Sequence, residues 1–199
     1  DYPARTLAIS YDGNTIAAST EDESGGRVFI FVRSGSAWSH QQNFGFGQVS
    51  NQVAGNLFGR SMAMSSDGNT LAIGAPQFDL ANGAQNAGAV YIFTRSGTTW
   101  TEHARLESDV QYDDMGRSTD MTPNGMYIVS GGADIGTGYV SVWVNDGSGN
   151  WSRQAKLQNS DNSGTNSEQF GNVCEISDDG TTILATAPYT NVTISATTY

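Results

Sequence analysis

A glycine in a tight turn returns four times along this chain at nearly constant distance. It stands at Gly13, Gly68, Gly125 and Gly180, with separations of 55, 57 and 55 residues. A second marker keeps step with it: Phe58-Gly59, Met115-Gly116 and Phe170-Gly171. The fullest copy runs from Phe58 through Gly68 to Pro76. Self-similarity at this period marks stacked arrays or propellers. One such unit cannot bury its own apolar face and must lean on the next.

Within each unit the sequence carries four strand signals and no helical period. In strand one, Phe58, Met62 and Met64 alternate with Gly59, Ser61 and Ala63. In strand two, Leu71 and Ile73 oppose Ala72 and Gly74. Between them lies Asp12-Gly13, Asp67-Gly68, Asn124-Gly125 or Asp179-Gly180. Such pairs between alternating runs are the strongest short-range hairpin signal, because glycine accepts the positive φ of the turn. Strand three is aromatic and glycine-led, as in Gly26 to Phe31, Gly88 to Phe93 and Gly138 to Trp143. Strand four opens on tryptophan and closes on a large apolar residue: Trp38 with Phe44, Trp100 with Leu106, and Trp151 with Leu157. These tryptophans are expected to pack between units. Four antiparallel strands per unit of about 50 residues make one β-propeller blade. Large residues on one blade face then fill small-residue grooves on the next.

The chain of 199 residues reads as an all-β propeller segment of about three and a half blades. The blades are expected near 2–46, 56–106 and 113–157, with a partial blade over 168–199. Closed propellers hold 4 to 8 blades. We therefore expect a fragment of a longer chain, a four-bladed ring, or copies that complete one another with Val192, Ile194 and Ala196 as an added strand. With no initiator Met and no leader-like segment at Asp1, a mature product or a piece of something longer is expected.

Nine basic residues against twenty acidic give a net charge of −11, and Lys156 is the only lysine. Such a surface repels nucleic acid and anionic membranes. No apolar run reaches the roughly 20 residues of a spanning helix, so no membrane insertion is expected. Abundant Ser, Thr, Asn and Gln with little lysine suggest an extracellular or cell-surface setting. Eleven acids fall in the longer connections: Glu21, Asp22, Glu23, Asp79, Glu107, Asp109, Asp113, Asp114, Asp134, Asp161 and Glu168. One rim is therefore expected to be acidic.

Phe-Gly, the Asp-Gly hairpin, Gly74-Ala75-Pro76 and the aromatic third strand together resemble the FG-GAP repeat of integrin alpha-subunit heads and many extracellular propellers. The fourth copy keeps Phe170-Gly171 and Ala187-Pro188, whereas the first has Pro3-Ala4 and the third has Met115-Gly116 with Gly131-Gly132. The resemblance implies a propeller used in adhesion or protein interaction. Integrin-like copies often hold calcium between strands one and two, which takes 6 to 8 oxygen ligands. Here that link shrinks to Ser66-Asp67-Gly68-Asn69 and its equivalents. The resemblance therefore does not carry its calcium sites, and no metal, cofactor or catalytic residue is expected.

Other chemistry is sparse. His40 and His103 fall at similar places on fourth strands and read as surface residues. Cys174 is the only cysteine and falls at a position expected to be buried. The enzymatic alternative is a sialidase-type propeller. Arg5, Arg60 and Arg117 occupy equivalent inner positions, and three arginines can clamp a carboxylate. Repetition alone also explains them. Two glycosylation sequons occur, at Asn150 in a turn and at Asn191. The sequence reading is a non-enzymatic extracellular propeller module for adhesion or protein–protein interaction. Its partner would be another protein, further copies of itself or the rest of a longer chain. The alternatives are a filament or surface-appendage subunit and a glycan-binding propeller.

Overall fold

A computed structural model describes residues 4–20, 25–45, 47–50, 55–132, 138–158 and 169–188. The described residues form strands and turns, with no helix. The first sheet contains β1 (Ala4–Ile9), β2 (Thr15–Thr20), β3 (Arg27–Ser34) and β4 (Ala37–Phe44) in that order. The second contains β5 (Met62–Met64), β6 (Thr70–Ala75), β7 (Ala89–Ser96) and β8 (Thr99–Glu107). The third contains β9 (Ser118–Met121), β10 (Tyr127–Gly132), β11 (Tyr139–Asn145) and β12 (Trp151–Leu157). β13 (Cys174–Ile176) and β14 (Ile183–Ala185) pair as the start of a fourth sheet. All pairings between neighbouring strands are antiparallel, so each sheet is a meandering blade. The first strands of successive blades pack on one another, β1 on β5, β5 on β9 and β9 on β13.

The alternation along each strand divides the core into layers between blades. Leu71 and Ile73 face the first blade and meet Ala17, Val28, Ile30 and Phe44. Ala63 and Ala72 face the third blade, where Met115, Met121 and Ile128 fill the space they leave. A third layer joins Val129, Val140 and Val142 to Phe170, Cys174, Ile176 and Ile183. Bulky residues on the leading face of one blade thus pack on the small-residue face of the blade before it, which removes apolar area from water.

Phe58 and Gly59 lie in a turn ahead of β5 rather than within the first strand. The turn carries the blade-to-blade contact. Phe58 N–H donates to Gly25 O of the preceding blade at 2.8 Å, and Met115 N–H donates to Ala87 O at 3.2 Å. Parallel bridges join Gly88 to Met115 and Gly138 to Phe170. A Cβ on Gly88 would strike the Met115 backbone, so only glycine permits this approach. The Gly carbonyl of each motif then accepts a hydroxyl from the blade before. Ser19 Oγ donates to Gly59 O at 2.7 Å, Ser61 Oγ to Gly116 O at 2.8 Å, and Ser118 Oγ to Gly171 O at 2.9 Å.

The strand-four tryptophans divide as blade stacking dictates. Trp100 is buried, its indole N–H donating to Gln41 Oε1 at 3.0 Å and its backbone N–H to Gln42 Oε1 at 2.8 Å. Trp151 packs partly buried against the second interblade layer. Trp38, on the first blade, is 43% exposed.

Gly116 has φ +99°, and a Cβ there would lie 2.6 Å from Ala89 O and 2.8 Å from Ala75 N. Gly97 also has a positive φ of +62°, but nothing lies within 4 Å of its Cβ position. Gly116→Ala should therefore lower stability by about 2–4 kcal/mol, against about 1 kcal/mol for Gly97→Ala, in urea denaturation. Equal losses would show that the interblade approach is not the constraint.

Candidate functional site

The hairpin turns show where the inner-strand carboxylates are used. Ser65 Oγ donates to Asp67 Oδ1 at 2.6 Å, and Asn69 N–H donates to the same oxygen at 2.9 Å. Ser10–Asp12–Asn14 and Ser177–Asp179–Thr181 repeat the arrangement. The third copy builds it with an amide, Asn124 Oδ1 accepting from Thr122 Oγ1 at 2.8 Å and Met126 N–H at 3.0 Å. An uncharged side chain can thus fill the position, so its function is turn closure. Among the described residues no three His, Cys, Asp or Glu side chains cluster as a metal site would require.

The longer connections behave differently from a bare acidic rim. Among their described acids, Glu107 pairs with Arg105, Asp109 with Arg153 and Asp113 with Lys156. Asp114 lies 3.7 Å from Arg117, and Asp79 Oδ1 accepts from Asn86 N–H at 2.8 Å. Every acid of that rim within the described residues therefore has a partner. Glu21, Asp22, Glu23, Asp134, Asp161 and Glu168 lie outside the described residues.

His40 and His103 are both exposed strand residues, but they are not equivalent. His40 lies opposite Phe31 and packs edge-on to its ring. His103 sits at the register shift of β8, the place that Gln41 holds in β4. Its Nε2 lies 2.9 Å from Gly149 O of the third blade. The bulged residue of a fourth strand is thereby aimed at the following blade, as Gln41 is at Trp100. Single sequences carry no signal for this shift, since the strand pattern continues unbroken through it.

Cys174 is buried, and its Sγ lies 3.1 Å from Ser118 Oγ. Burial pushes the thiol up to about 12, so the reactive thiolate is absent at neutral pH. Asn150 stands in an exposed turn, as the sequon requires, and its Nδ2 donates to Asp146 Oδ2 at 2.8 Å. Asn191 lies outside the described residues, as do Val192, Ile194 and Ala196.

Two surfaces stand apart. One is a groove of about 390 Å³ across the first strands of the blades, with Thr6, Arg60, Ser61, Arg117, Asp120 and Asn172 among its walls. Arg117 Nε donates to Asn172 Oδ1 at 3.1 Å, which fixes its guanidinium at the groove wall. Arg5 and Arg117 lie close enough to Arg60 for their charges to act on it. Arg60 and Arg117 thus line one groove, but each sits in the turn ahead of its blade's first strand rather than on the strand, and only Arg5 lies within one, β1. The other surface is the leading face of the first blade. There Leu7 is 65% exposed, Ile9 58% and Tyr11 90%, beside Trp38. The equivalent Met62 and Trp100 in the second blade are buried.

These features define a β-propeller segment built from stacked, repeat-encoded blades. A family model described as FG-GAP repeat matches residues 49–93, which take in the Phe58-Gly59 turn, β5, β6 and the start of β7. A comparison with curated proteins finds no match. Among solved structures, the chain is similar to the Swd1 β-propeller domain of Myceliophteria thermophila, with TM-score 0.62 and 12% identity over 95% of this chain and 51% of the other. It is also similar to Kuenenia stuttgartiensis hydrazine synthase, with TM-score 0.61 and 16% identity over 98% of this chain and 46% of the other. Acinetobacter baumannii TolB gives TM-score 0.55 and 15% identity over 99% and 41%. This chain spans about half of those proteins or less, and at such identities the likeness shows the fold alone. One of them is an enzyme by name, so the propeller by itself does not separate catalyst from binding module.

Asp12 and Asp179 are held down to about 2, first by the serine hydroxyls of Ser10 and Ser177 and then by backbone N–H donors. A carboxyl depressed on folding stabilises the fold above its ordinary value of 3.8, and that contribution fades as pH falls towards 2. Thermal melts should therefore be flat with respect to these turns above pH 5 and decline between about pH 4 and 2. Asp12→Asn should weaken that decline, since Asn124 already serves in the third hairpin. An unchanged acid profile would show that the carboxylates do not act this way. The Cys174 thiol should resist a disulfide reagent in the native protein and react at once in denaturant; fast native labelling would contradict its burial.

Proposed function

We propose that this chain is a non-enzymatic extracellular propeller module that works by protein–protein interaction, with the leading face of its first blade as the contact surface. The observation that carries the reading is the exposure of Leu7, Ile9 and Trp38, whose equivalents in the second blade are buried at Met62 and Trp100 and half-buried at Met64. In the second blade the matching face rests on Ala17, Val28, Ile30 and Phe44 of its neighbour. The occupant proposed for the open face is therefore another blade with the same small-residue side, carried by a partner protein. A contiguous apolar patch of this kind marks an interaction site. The family resemblance and the low lysine content support an extracellular setting.

A second reading, self-association into a filament, is favoured by one contact. Thr186 Oγ1 accepts from Val173 N–H at 3.1 Å, as Ser19 Oγ accepts from Thr6 N–H at 3.1 Å. Ser19 goes on to hold the following blade, so Thr186 presents the same hydroxyl towards a successor. Against it, Val173 and Leu184 are large where the other blades place Ser61 or Ser118 and Ala72 or Ala17. Two bulky faces pack less closely than a bulky and a small one.

The test compares the wild-type chain with a Leu7→Glu/Ile9→Glu variant. The wild type should bind a hydrophobic dye or form small associated species in light scattering, and the variant should lose both with its melting temperature kept. Absence of dye binding and association in the wild type would overturn the reading. Growth into long polymers would favour the filament.

A further inference from the structure

The nine basic side chains of this acidic protein are nearly all committed. Arg33 and Arg95 reach Asn14 and Asn69, and Arg105, Arg153 and Lys156 pair with carboxylates. Arg117 is held by Asn172 and Asp114, and Arg5 and Arg27 also have partners. Arg60 is the exception among the described residues. Its backbone is fully engaged: the N–H donates to Leu57 O and Gly74 O, and its carbonyl accepts from Thr6 Oγ1 at 3.0 Å. Among the described residues its guanidinium has no hydrogen-bond acceptor and no carboxylate partner.

The surroundings make this costly in the empty state. The guanidinium is partly withdrawn from water, and the charges that act on it are those of Arg5 and Arg117. Burial first, and then those two like charges, push its pKa below the ordinary arginine value. Among the described residues Arg60 has no ion pair to offset them. Asp120 and Glu175 also border the groove. Asp120 Oδ2 is occupied by Ile176 N–H at 2.8 Å, and neither acid forms an ion pair with Arg60. The groove is therefore positive at its Arg60 end within a protein of net charge −11.

A partly desolvated guanidinium facing like charge is relieved by one kind of ligand. We propose that the Arg60 end of the groove binds an oxyanion, a carboxylate or phosphate group on a small molecule. Arg60 supplies a free planar fork of N–H donors, which matches two oxygens of such a group side by side. Arg117, held by Asn172, supplies a fixed second positive charge. A volume of about 390 Å³ admits a small acid rather than a polymer. The site uses the repeat itself, because the turns ahead of successive first strands bring the equivalent Arg60 and Arg117 into one groove.

The test uses citrate and inorganic phosphate as probes, with chloride at matched ionic strength as the reference, on the wild-type chain, Arg60→Gln and Arg60→Lys. Binding is read by calorimetry and by the arginine side-chain N–H resonances. A saturable response to citrate assigns a carboxylate ligand, and one to phosphate assigns a phosphate ligand. Arg60→Gln should weaken that response by about tenfold or more. Arg60→Lys, which keeps the charge but loses the fork, should fall between. In chloride alone, Arg60→Gln should melt at a higher temperature than the wild type, because like-charge repulsion is removed. A purely structural arginine would give the opposite shift. No saturable response to either probe overturns the proposal, as does a response that Arg60→Gln leaves unchanged.

Discussion

Everything in this molecule depends on how closely one blade's backbone can approach the next. The motif of a large residue followed by glycine places its peptide unit against the glycine that opens strand three of the preceding blade. Two backbone segments at that distance leave no room for a Cβ. The contact is then fixed by an interblade N–H···O bond at Phe58 and at Met115. A serine hydroxyl closes it at Gly59, Gly116 and Gly171. Backbone polar groups buried between sheets must find partners, and here they find them in the neighbouring blade. Hydrophobic layers supply the bulk of the driving force, but they do not set the register. The glycine contacts do, since a shift of one residue would drive a side chain into a carbonyl.

The period, the blade architecture and the division of large and small faces were legible in the sequence. Each is a local pattern repeated at fixed spacing. Leu71 and Ile73 against Ala72 and Ala63 could be sorted to opposite faces from alternation alone, and the structure places them in different layers. Three things were not legible. Phe58 and Gly59 sit in a turn, because their backbone serves the neighbouring blade rather than their own ladder. The register shift that aims Gln41 and His103 leaves no mark, because both positions are polar on an outer strand. The acids of the longer connections read as a charged rim, yet their cationic partners come from positions as distant as Arg153 for Asp109 and Lys156 for Asp113. Pairing across such separations is a product of the fold and is not encoded locally.

The same repetition that builds the fold also creates its functional surfaces. Equivalent positions perform equivalent tasks only where a neighbour is present. Trp100 and Trp38 have the same place in their blades, but one is buried and clasped by Gln41 and Gln42 while the other is partly exposed. The arginines of the turns ahead of β5 and β9 show the converse effect. Stacking brings like charges together that would be separate in an extended chain, and the protein satisfies Arg117 without satisfying Arg60. Surface apolar groups and unsatisfied charge thus arise from one cause, a repeat whose members do not all have the same surroundings.

The most direct measurement of this account is native-state hydrogen exchange at the amides of Phe58 and Met115. Both lie outside the strand ladders of their own blades, so a blade that folded alone would leave them open to solvent. Interblade docking predicts protection equal to that of the β6 and β10 core amides. Exchange at the rate of exposed turns such as Gly97 would contradict it, and with it the claim that glycine-permitted backbone contact holds the blades together.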